Sequence, residues 1–438
     1  MTTGITARSI VGQLDHDMVE LRAAADEHAA ILAALGLVRE RDEAEAATAT
    51  AAHRVLRRLR REFLRRHLPT VYRSATDDLG RALRLTRLAA TVTALFPGLL
   101  PTAEQLAADA AVPQPAKEGW EIDQGIFFQA VFADPELGNH LLDAMRAPTG
   151  AALDLLAEFR DSGVVTLPAV RLVRTGTTAT LTITNTACLN AEDNQHVTDM
   201  EIAVDLILLD PATRVGVVRG GVMDHPRYRG RRVFSAGINL AHLHQGKISF
   251  LDFLLGRETG YIAKILRGLT AEDHTWPAVP ATKPFVAAVD AFAIGGGAQL
   301  LMVFDRVIAA ADSFVSLPAA QEGIIPGAAN LRLGRSADHR LSRDVILWGR
   351  RIWATEPEAR AIVDTVVDPA EMDAEIDRAA ARLAAPAVVA NKHMLVVAEE
   401  PQDVFRRYLA EFALHQALRL YSPDVLAKTE RFGRKADR

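Results

Sequence analysis

From residue 5 to about residue 160 the chain sets Ala and Leu at helical spacing among Arg and Glu, and this pattern breaks at FPGLLP (96 to 101) and AVPQPAKEG (111 to 119). It predicts an all-helical amino-terminal domain over residues 1–163. Near residue 165 β-branched residues take over. VRLVRTGTTATLTITNT (170 to 186) alternates around TGTT and reads as two strands joined by a turn. EDNQHVTDMEIAVDLILLD (192 to 210) then reads as an amphipathic helix, TRVGVVRGG (213 to 221) as a short buried strand, and FSAGINL (234 to 240) as the turn after it. PFVAAVDAFAIGGG (284 to 297) repeats the scheme as a strand and a glycine turn leading into the helix AQLLMVFD, and RVIAAADSFVSLP (306 to 318) supplies further strand. Strand and helix alternating in this way predict an α/β layered core over residues 164–340. The tail, residues 341–438, reads as helical again.

Composition adds bounds. A chain of 438 residues, 49% hydrophobic and 24% charged, exceeds the usual single-domain size, so two domains are expected. The net charge of −5 points away from nucleic acid. Arginines cluster in RVLRRLRREFLRRH (54 to 67), but Val55, Leu56, Leu59, Phe63 and Leu64 recur between them at helical spacing, which describes a solvated helix face packed by its apolar side. The single cysteine, Cys188, excludes an intrachain disulfide framework and a Cys-rich metal or iron–sulfur site. The first apolar patch is short and interrupted by Asp15, His16 and Asp17, and no apolar stretch is long enough to span a bilayer. A soluble cytoplasmic protein without signal peptide or membrane association is expected.

The glycine turns carry the chemistry. Glycine has no Cβ, so a ligand can approach its N–H closely, and a helix starting there adds the positive end of its dipole. Two such turns, SAGI and IGGGA, could aim two N–H groups at one oxygen. That arrangement is an oxyanion hole, in which one donor typically lowers a barrier by ~3 kcal/mol. The competing reading is that GGG only permits tight strand-to-helix packing. Neither fragment has the glycine spacing of a Rossmann fingerprint or the Gly-Lys-Ser/Thr of a P-loop.

FSAGINL together with KPFVAAVDAFAIGGGAQLLMVFDRVIAAADSFVSLPAAQEGIIPGAANLRLGR (283 to 335) resembles the enoyl-CoA hydratase/isomerase, or crotonase, superfamily over roughly residues 167 to 400. The resemblance implies a spiral of β-β-α units, binding of acyl-CoA thioesters and stabilisation of their enolates. It assigns the oxyanion amides to Ile238 and Gly296. Ser235, Ala236, Gly237 and Asn239 of the first turn, and Gly295 and Gly297 of the second, would complete the thioester site. Two departures narrow the activity. Where hydratases of the family place their glutamates, this chain has Gln299 and Ala319, neither of which can transfer a proton at neutral pH. Hydration of a double bond is therefore not expected.

Gln299, the long helical amino-terminal region, LNAEDN and LLGRETGYIAKILRG together resemble one branch of the superfamily, cofactor-independent dioxygenases of glycopeptide-antibiotic biosynthesis. These convert a dihydroxyphenylacetyl-CoA thioester and O2 to the arylglyoxylate and free CoA. By that resemblance Glu192 and Arg257 would contact ring hydroxyls, Gln299 would sit near the reacting carbon, and Ala319 and Ile324 would line an oxygen pocket. The implied partners are an arylacetyl-CoA, O2 and further copies of the chain, as a trimer or hexamer. The implied cofactor is none, and no His/carboxylate spacing suggests a metal.

Plainer readings stand beside these. Glu192 could cap the helix that starts near Asp193. Arg257, next to Glu258, could be a surface ion-pair residue. HLH (242 to 244) puts neighbours two apart on a helix, which point in different directions and do not share a metal. Ala319 and Ile324 could simply be core. At the level of function, another crotonase-type enzyme, such as an aryl-CoA thioesterase or isomerase, and a non-catalytic CoA-ester-binding scaffold are the alternatives.

Overall fold

The computed structural model describes residues 8–271 and 279–428; the outer ends of the predicted amino- and carboxy-terminal helical regions, 1–7 and 429–438, lie outside them. The chain divides into two compact units, one formed by Met1–Ala144, Leu240–Leu251 and Arg406–Arg438, the other by Met145–Asn239 and Asp252–Phe405.

The first unit is helical. Its longest helix, Glu43–Ala75, starts at a capping box in which the Asp42 side chain accepts from the Glu45 N–H and Glu45 reaches back to the Asp42 N–H. Leu56, Leu59, Phe63 and Leu64 are buried along it, as their spacing predicts. The arginine face is not wholly solvated, however. Arg60 is buried and lies 2.7 Å from Asp123, with Arg57 at 3.3 Å from the same carboxylate. A buried carboxylate in an apolar helix such as Trp120–Ala133 requires such partners, and no single-helix pattern reveals them.

The second unit holds, among the described residues, ten strands: β1 (Val164–Thr166), β2 (Val170–Thr175), β3 (Thr178–Ile183), β4 (Val215–Gly220), β5 (Phe285–Val289), β6 (Phe292–Ile294), β7 (Arg306–Ala310), β8 (Phe314–Ser316), β9 (Arg351–Trp353) and β10 (Thr365–Val367). One sheet runs β1-β2-β3-β4-β5-β7-β10 and the other β6-β8-β9. β1, β2 and β3 pair antiparallel, and from β3 to β10 the first sheet is parallel. Its central strands are buried on both faces, as the runs VGVV and FVAAV require. Val215, Val217, Val286, Ala288, Ile308 and Ala310 pack on Met372, Ile376, Ala379 and Ala380 of the helix Met372–Leu383.

The β-β-α rule is visible in the chain order. β5 belongs to the large sheet and β6 to the small one, followed by the helix Gly296–Leu301; β7, β8 and the helix Ala319–Glu322 repeat this. β4 is followed by a stretch in which Ser235 bridges Ala293 of β6 in parallel, continuing the small sheet. The segments 285–294 and 306–316, each read from sequence as one strand, are thus two strands in different sheets. The tail is also less helical than its composition suggests: β9 pairs antiparallel with β8, β10 pairs parallel with β7, and regular helix resumes at Met372. Three-residue strands are too short to show an alternation. The helix Asn194–Leu209 forms as predicted but is not amphipathic in its second half, where residues 200–208 are all buried.

Candidate active site

The two glycine turns meet backbone to backbone. Glu192 N–H donates to Gly237 O at 2.7 Å and Asn239 N–H to Glu192 O at 2.8 Å, a parallel bridge that faces the Ile238 amide to the opposite side. Gly237 has φ 83°, and a Cβ there would stand 3.0 Å from Ile294 O and 3.3 Å from both Gly295 Cα and Gly296 N. Only glycine allows that approach. Gly295, at φ 54° and ψ −117°, caps the helix Gly296–Leu301 and donates to Ser316 O at 2.8 Å, so the Gly296 N–H is the first helical donor. Among the described residues neither the Ile238 nor the Gly296 amide donates to another backbone group. Ser235 locks the first turn: its Oγ accepts from Gly237 N–H at 3.0 Å and donates to Glu192 Oε1 at 3.0 Å.

Behind the turns lies a buried polar chain. Arg257 Nε donates to Glu192 Oε2 at 2.6 Å and its Nη2 to Glu192 Oε1 at 3.3 Å and Gly296 O at 2.7 Å. Its Nη1 donates to Gln299 Oε1 at 2.7 Å and Glu258 Oε1 at 3.3 Å. Gln299 Nε2 in turn donates to Glu258 Oε1, whose other oxygen accepts from Ala328 N–H at 3.2 Å. Glu192, Arg257, Glu258 and Gln299 are each 3% exposed or less. The amide of Gln299 is therefore oriented without ambiguity, its oxygen toward a donor-only guanidinium and its nitrogen toward a carboxylate. A glutamate at 299 would set two carboxylates against each other.

Charge and burial agree with this wiring. Burial works against the Glu192 carboxylate, but Arg257, with the Ser235 hydroxyl, outweighs it and holds the group below its ordinary value. Burial pushes His196 down toward the neutral form and Tyr261 up, so both are uncharged at neutral pH. The Arg257 guanidinium lies over the Tyr261 ring, 5.7 Å from its centroid.

The structure brings Glu192, Ser235, Gly237, Ile238, Arg257, Gly295, Gly296, Gly297 and Gln299 into one site, with Ala236 and Asn239 in the first turn. A Cβ on Gly296 would meet Glu192 Oε2 at 2.7 Å and Arg257 Nη2 at 3.1 Å, and one on Gly297 would meet Ser235 Cβ at 2.6 Å. The triplet thus serves close packing as well as presenting amides. The plainer readings of two residues do not hold: the helix cap is Asp193, whose side chain accepts from His196 N–H, and Arg257 is buried rather than a surface ion-pair residue. Ala319 is buried at the start of the helix Ala319–Glu322, while Ile324, whose N–H donates to Ala319 O at 3.1 Å, is half-buried. Sequence reasoning missed Glu258 as a partner of Gln299, and missed Gly327, Tyr261 and His196. Gly327, at φ 48°, passes so close over Gln299 and Glu258 that a Cβ would overlap both side chains. The signal was in IIPGAAN, where a glycine follows proline. Among the described residues no helix is long and apolar enough to cross a membrane.

Two glycine turns presenting amides at the edge of a β-β-α spiral agree with what the chain matches. Residues 174–416 fit the enoyl-CoA hydratase/isomerase family model. The chain belongs to this family, the crotonase superfamily. Crystal structures of enoyl-CoA hydratases share the fold: that from Mycobacterium avium subsp. paratuberculosis K-10 aligns over 61% of this chain and 99% of its own, at 21% identity and TM-score 0.50. That from Bacillus halodurans aligns over 60% and 99%, at 17% identity and TM-score 0.50. More specific is a (3,5-dihydroxyphenyl)acetyl-CoA 1,2-dioxygenase from Amycolatopsis orientalis, 53% identical over 432 residues, 99% of each chain. A carnitinyl-CoA dehydratase from Salmonella paratyphi A is 30% identical over 234 residues, 52% of this chain and 81% of its own.

Proposed function

We propose that this chain oxidises (3,5-dihydroxyphenyl)acetyl-CoA with O2, giving 3,5-dihydroxyphenylglyoxylate and free CoA. The observation that carries the reading is the 53% identity, over 99% of both chains, to the dioxygenase from Amycolatopsis orientalis. The site supports it: the oxyanion turns are intact, and Gln299 and Ala319 stand where a hydratase needs acids.

The chemistry uses what these residues offer. The Ile238 and Gly296 amides stabilise the enolate oxygen formed when the benzylic proton leaves, each donor lowering the barrier by ~3 kcal/mol. The enolate passes one electron to O2, and recombination forms a C–O bond at the alpha carbon. The terminal peroxide oxygen attacks the thioester carbonyl and expels the CoA thiolate. The O–O bond then breaks as the remaining alpha hydrogen leaves as a proton, and the atoms balance as one arylacetyl thioester plus O2 to one keto acid plus one thiol. Gln299 has a second N–H on Nε2 beyond the one given to Glu258, which can hydrogen-bond the peroxide without protonating the carbanion. Ala319 and Ile324 are the proposed lining of an oxygen pocket; the Ile324 N–H donates to Ala319 O at 3.1 Å, which holds the two side by side. The protein acts in the cytoplasm as a homo-oligomer, a trimer or hexamer; the exposed Leu347, Trp348 and Trp353 supply apolar surface for such contacts.

The test is oxygen dependence. Chelator-treated enzyme consumes one O2 per CoA released, and isotopically labelled O2 enters both the keto and the carboxylate groups. CoA release at the same rate under strict anaerobiosis overturns the reading and makes the protein a thioesterase.

A further inference from the structure

The Gln299 amide is held by Glu258, and Glu258 has a second side. Its Oε1 serves Arg257 Nη1 and Gln299 Nε2, whereas its Oε2 accepts from Ala328 N–H at 3.2 Å and faces Arg332 Nη1 at 3.9 Å. At that distance the contact with Arg332 is an ion pair rather than a hydrogen bond, so the guanidinium acts on Glu258 through its charge. Arg332 lies in the helix Ala329–Ser336 and is buried.

Arg332 is in turn gripped from its other side. Its Nε donates to Glu400 Oε2 at 3.0 Å and its Nη2 to Glu400 Oε1 at 3.1 Å, the paired geometry that a guanidinium makes with a carboxylate and an ammonium cannot. Glu400, also buried, takes further bonds from Arg267 Nη2 at 2.9 Å and Arg335 Nη1 at 3.2 Å. The centroid of the Phe405 ring lies 5.4 Å from the Arg332 guanidinium and 5.5 Å from that of Arg267. Burial works against the Glu400 carboxylate, but Arg332 and Arg267 outweigh it and hold the group below its ordinary value. Charge therefore alternates from the oxyanion turn to the end of the helix Pro386–Glu399, in the order Glu192, Arg257, Glu258, Arg332, Glu400, Arg267. Arg267 and Arg335 already neutralise Glu400; Arg332 is the arginine of this group that also reaches Glu258.

We propose that Arg332 is a positioning residue for Gln299: it holds the Glu258 carboxylate in the orientation that fixes the Gln299 amide, and Glu400 fixes Arg332 for this task. The proposal rests on the dioxygenase reading above, in which the second hydrogen on Gln299 Nε2 meets the peroxide. Without the Arg332 charge, Glu258 Oε1 keeps Arg257 while Oε2 is left with the Ala328 N–H. The carboxylate then swings toward Arg257, and the amide that donates to Oε1 swings with it. Enolate formation draws on the Ile238 and Gly296 amides and not on Gln299, so the step that suffers is the one with oxygen.

The experiment is a double-mutant cycle on the full chain, with Arg332→Gln and Gln299→Ala alone and together. It reads O2-coupled CoA release from (3,5-dihydroxyphenyl)acetyl-CoA and, anaerobically in D2O, alpha-proton exchange of the same thioester. Arg332→Gln should lower kcat of coupled release about 10- to 100-fold, with KM and the exchange rate within about twofold of wild type. Arg332→Lys, which keeps the charge and loses the fork, should recover part of the lost kcat. In the Gln299→Ala background Arg332→Gln should add nothing, because a residue that works through Gln299 has no effect once that amide is gone. Wild-type kcat in Arg332→Gln, no recovery with lysine, exchange falling along with coupled release, or the same loss repeated on top of Gln299→Ala overturns the positioning role alone. If Arg332→Gln does not fold, Arg332→Lys in the same cycle decides: a partial loss of kcat that disappears in the Gln299→Ala background sustains the role, and wild-type kcat overturns it. A wild type that releases CoA at the same rate without O2 overturns the dioxygenase reading and this assignment with it.

Discussion

Gln299→Glu changes one atom and tests the logic of the whole site. Arg257 Nη1 can donate to a carboxylate as it donates to the amide oxygen, at 2.7 Å. The contact from Gln299 Nε2 to Glu258 Oε1, however, becomes carboxylate against carboxylate. At an effective dielectric of ~20 and a separation of ~3 Å two like charges repel by roughly 5 kcal/mol. The like-charge contact favours one proton retained on the pair to higher pH than an isolated carboxyl would hold it, against the pull of Arg257, and that proton belongs to the pair rather than to either residue. The variant therefore carries an acid at neutral pH beside the carbanion. We expect alpha-proton exchange in D2O to continue or accelerate, O2-coupled CoA release to fall at least tenfold, and the lost rate to return partly as the pair ionises at high pH. No hydratase activity should appear, because Ala319 still lacks the second acid. Coupled turnover at the wild-type rate with no new ionisation in the pH profile would refute the argument that Gln299 is an amide because Glu258 faces it.

Two further predictions concern shape and charge. Gly327→Ala forces a Cβ into the space held by Glu258 Oε1 and Gln299 Nε2 at φ 48°, so turnover should drop at least a hundredfold while circular dichroism of the helical unit stays unchanged; near-wild-type kinetics would show that this backbone does not position Gln299. His28 pairs with His53 at 3.1 Å in the first unit, and burial, then the charges of His53 and Arg60, holds its pKa down to about 3. Because the folded value lies below the unfolded one of about 6.5, stability from a neutral His28 is full above pH 6.5 and is lost as pH falls toward 3, by up to ~1.4 kcal/mol per pH unit. A His28→Asn variant should show a shallower acid slope in denaturant melts than the wild type, and identical slopes would remove His28 as the cause.

The sequence made some of this legible and hid the rest for definite reasons. Long periodic stretches such as Glu43–Ala75 and the alternation in β2 and β3 announce themselves, and the glycine turns do so because φ 83° at Gly237 and φ 54° at Gly295 demand glycine. Short strands do not: β6, β8, β9 and β10 have three residues each, so their sheet is chosen by tertiary pairing. The partners of Gln299 were equally hidden. Glu258 is 41 residues away and Arg257 is 42, and nothing in the spacing of RETGY says that its arginine and glutamate turn inward together. A buried ion pair is readable only once two segments are known to meet.

The glycine triplet joins the two ends of the reaction. Gly296 supplies an N–H at the proposed oxyanion position, and its carbonyl accepts from Arg257 at 2.7 Å. Its Cα rests against the Glu192–Arg257 pair, with no room for a Cβ. A displacement of that ion pair therefore cannot leave the Gly296 amide where it was, so the proposed oxyanion donor and the buried pair share one rigid backbone unit. Packing and the proposed catalytic role of GGG are therefore not exclusive. Close packing fixes the amide, and an amide fixed in advance costs no reorganisation when charge develops on the oxygen.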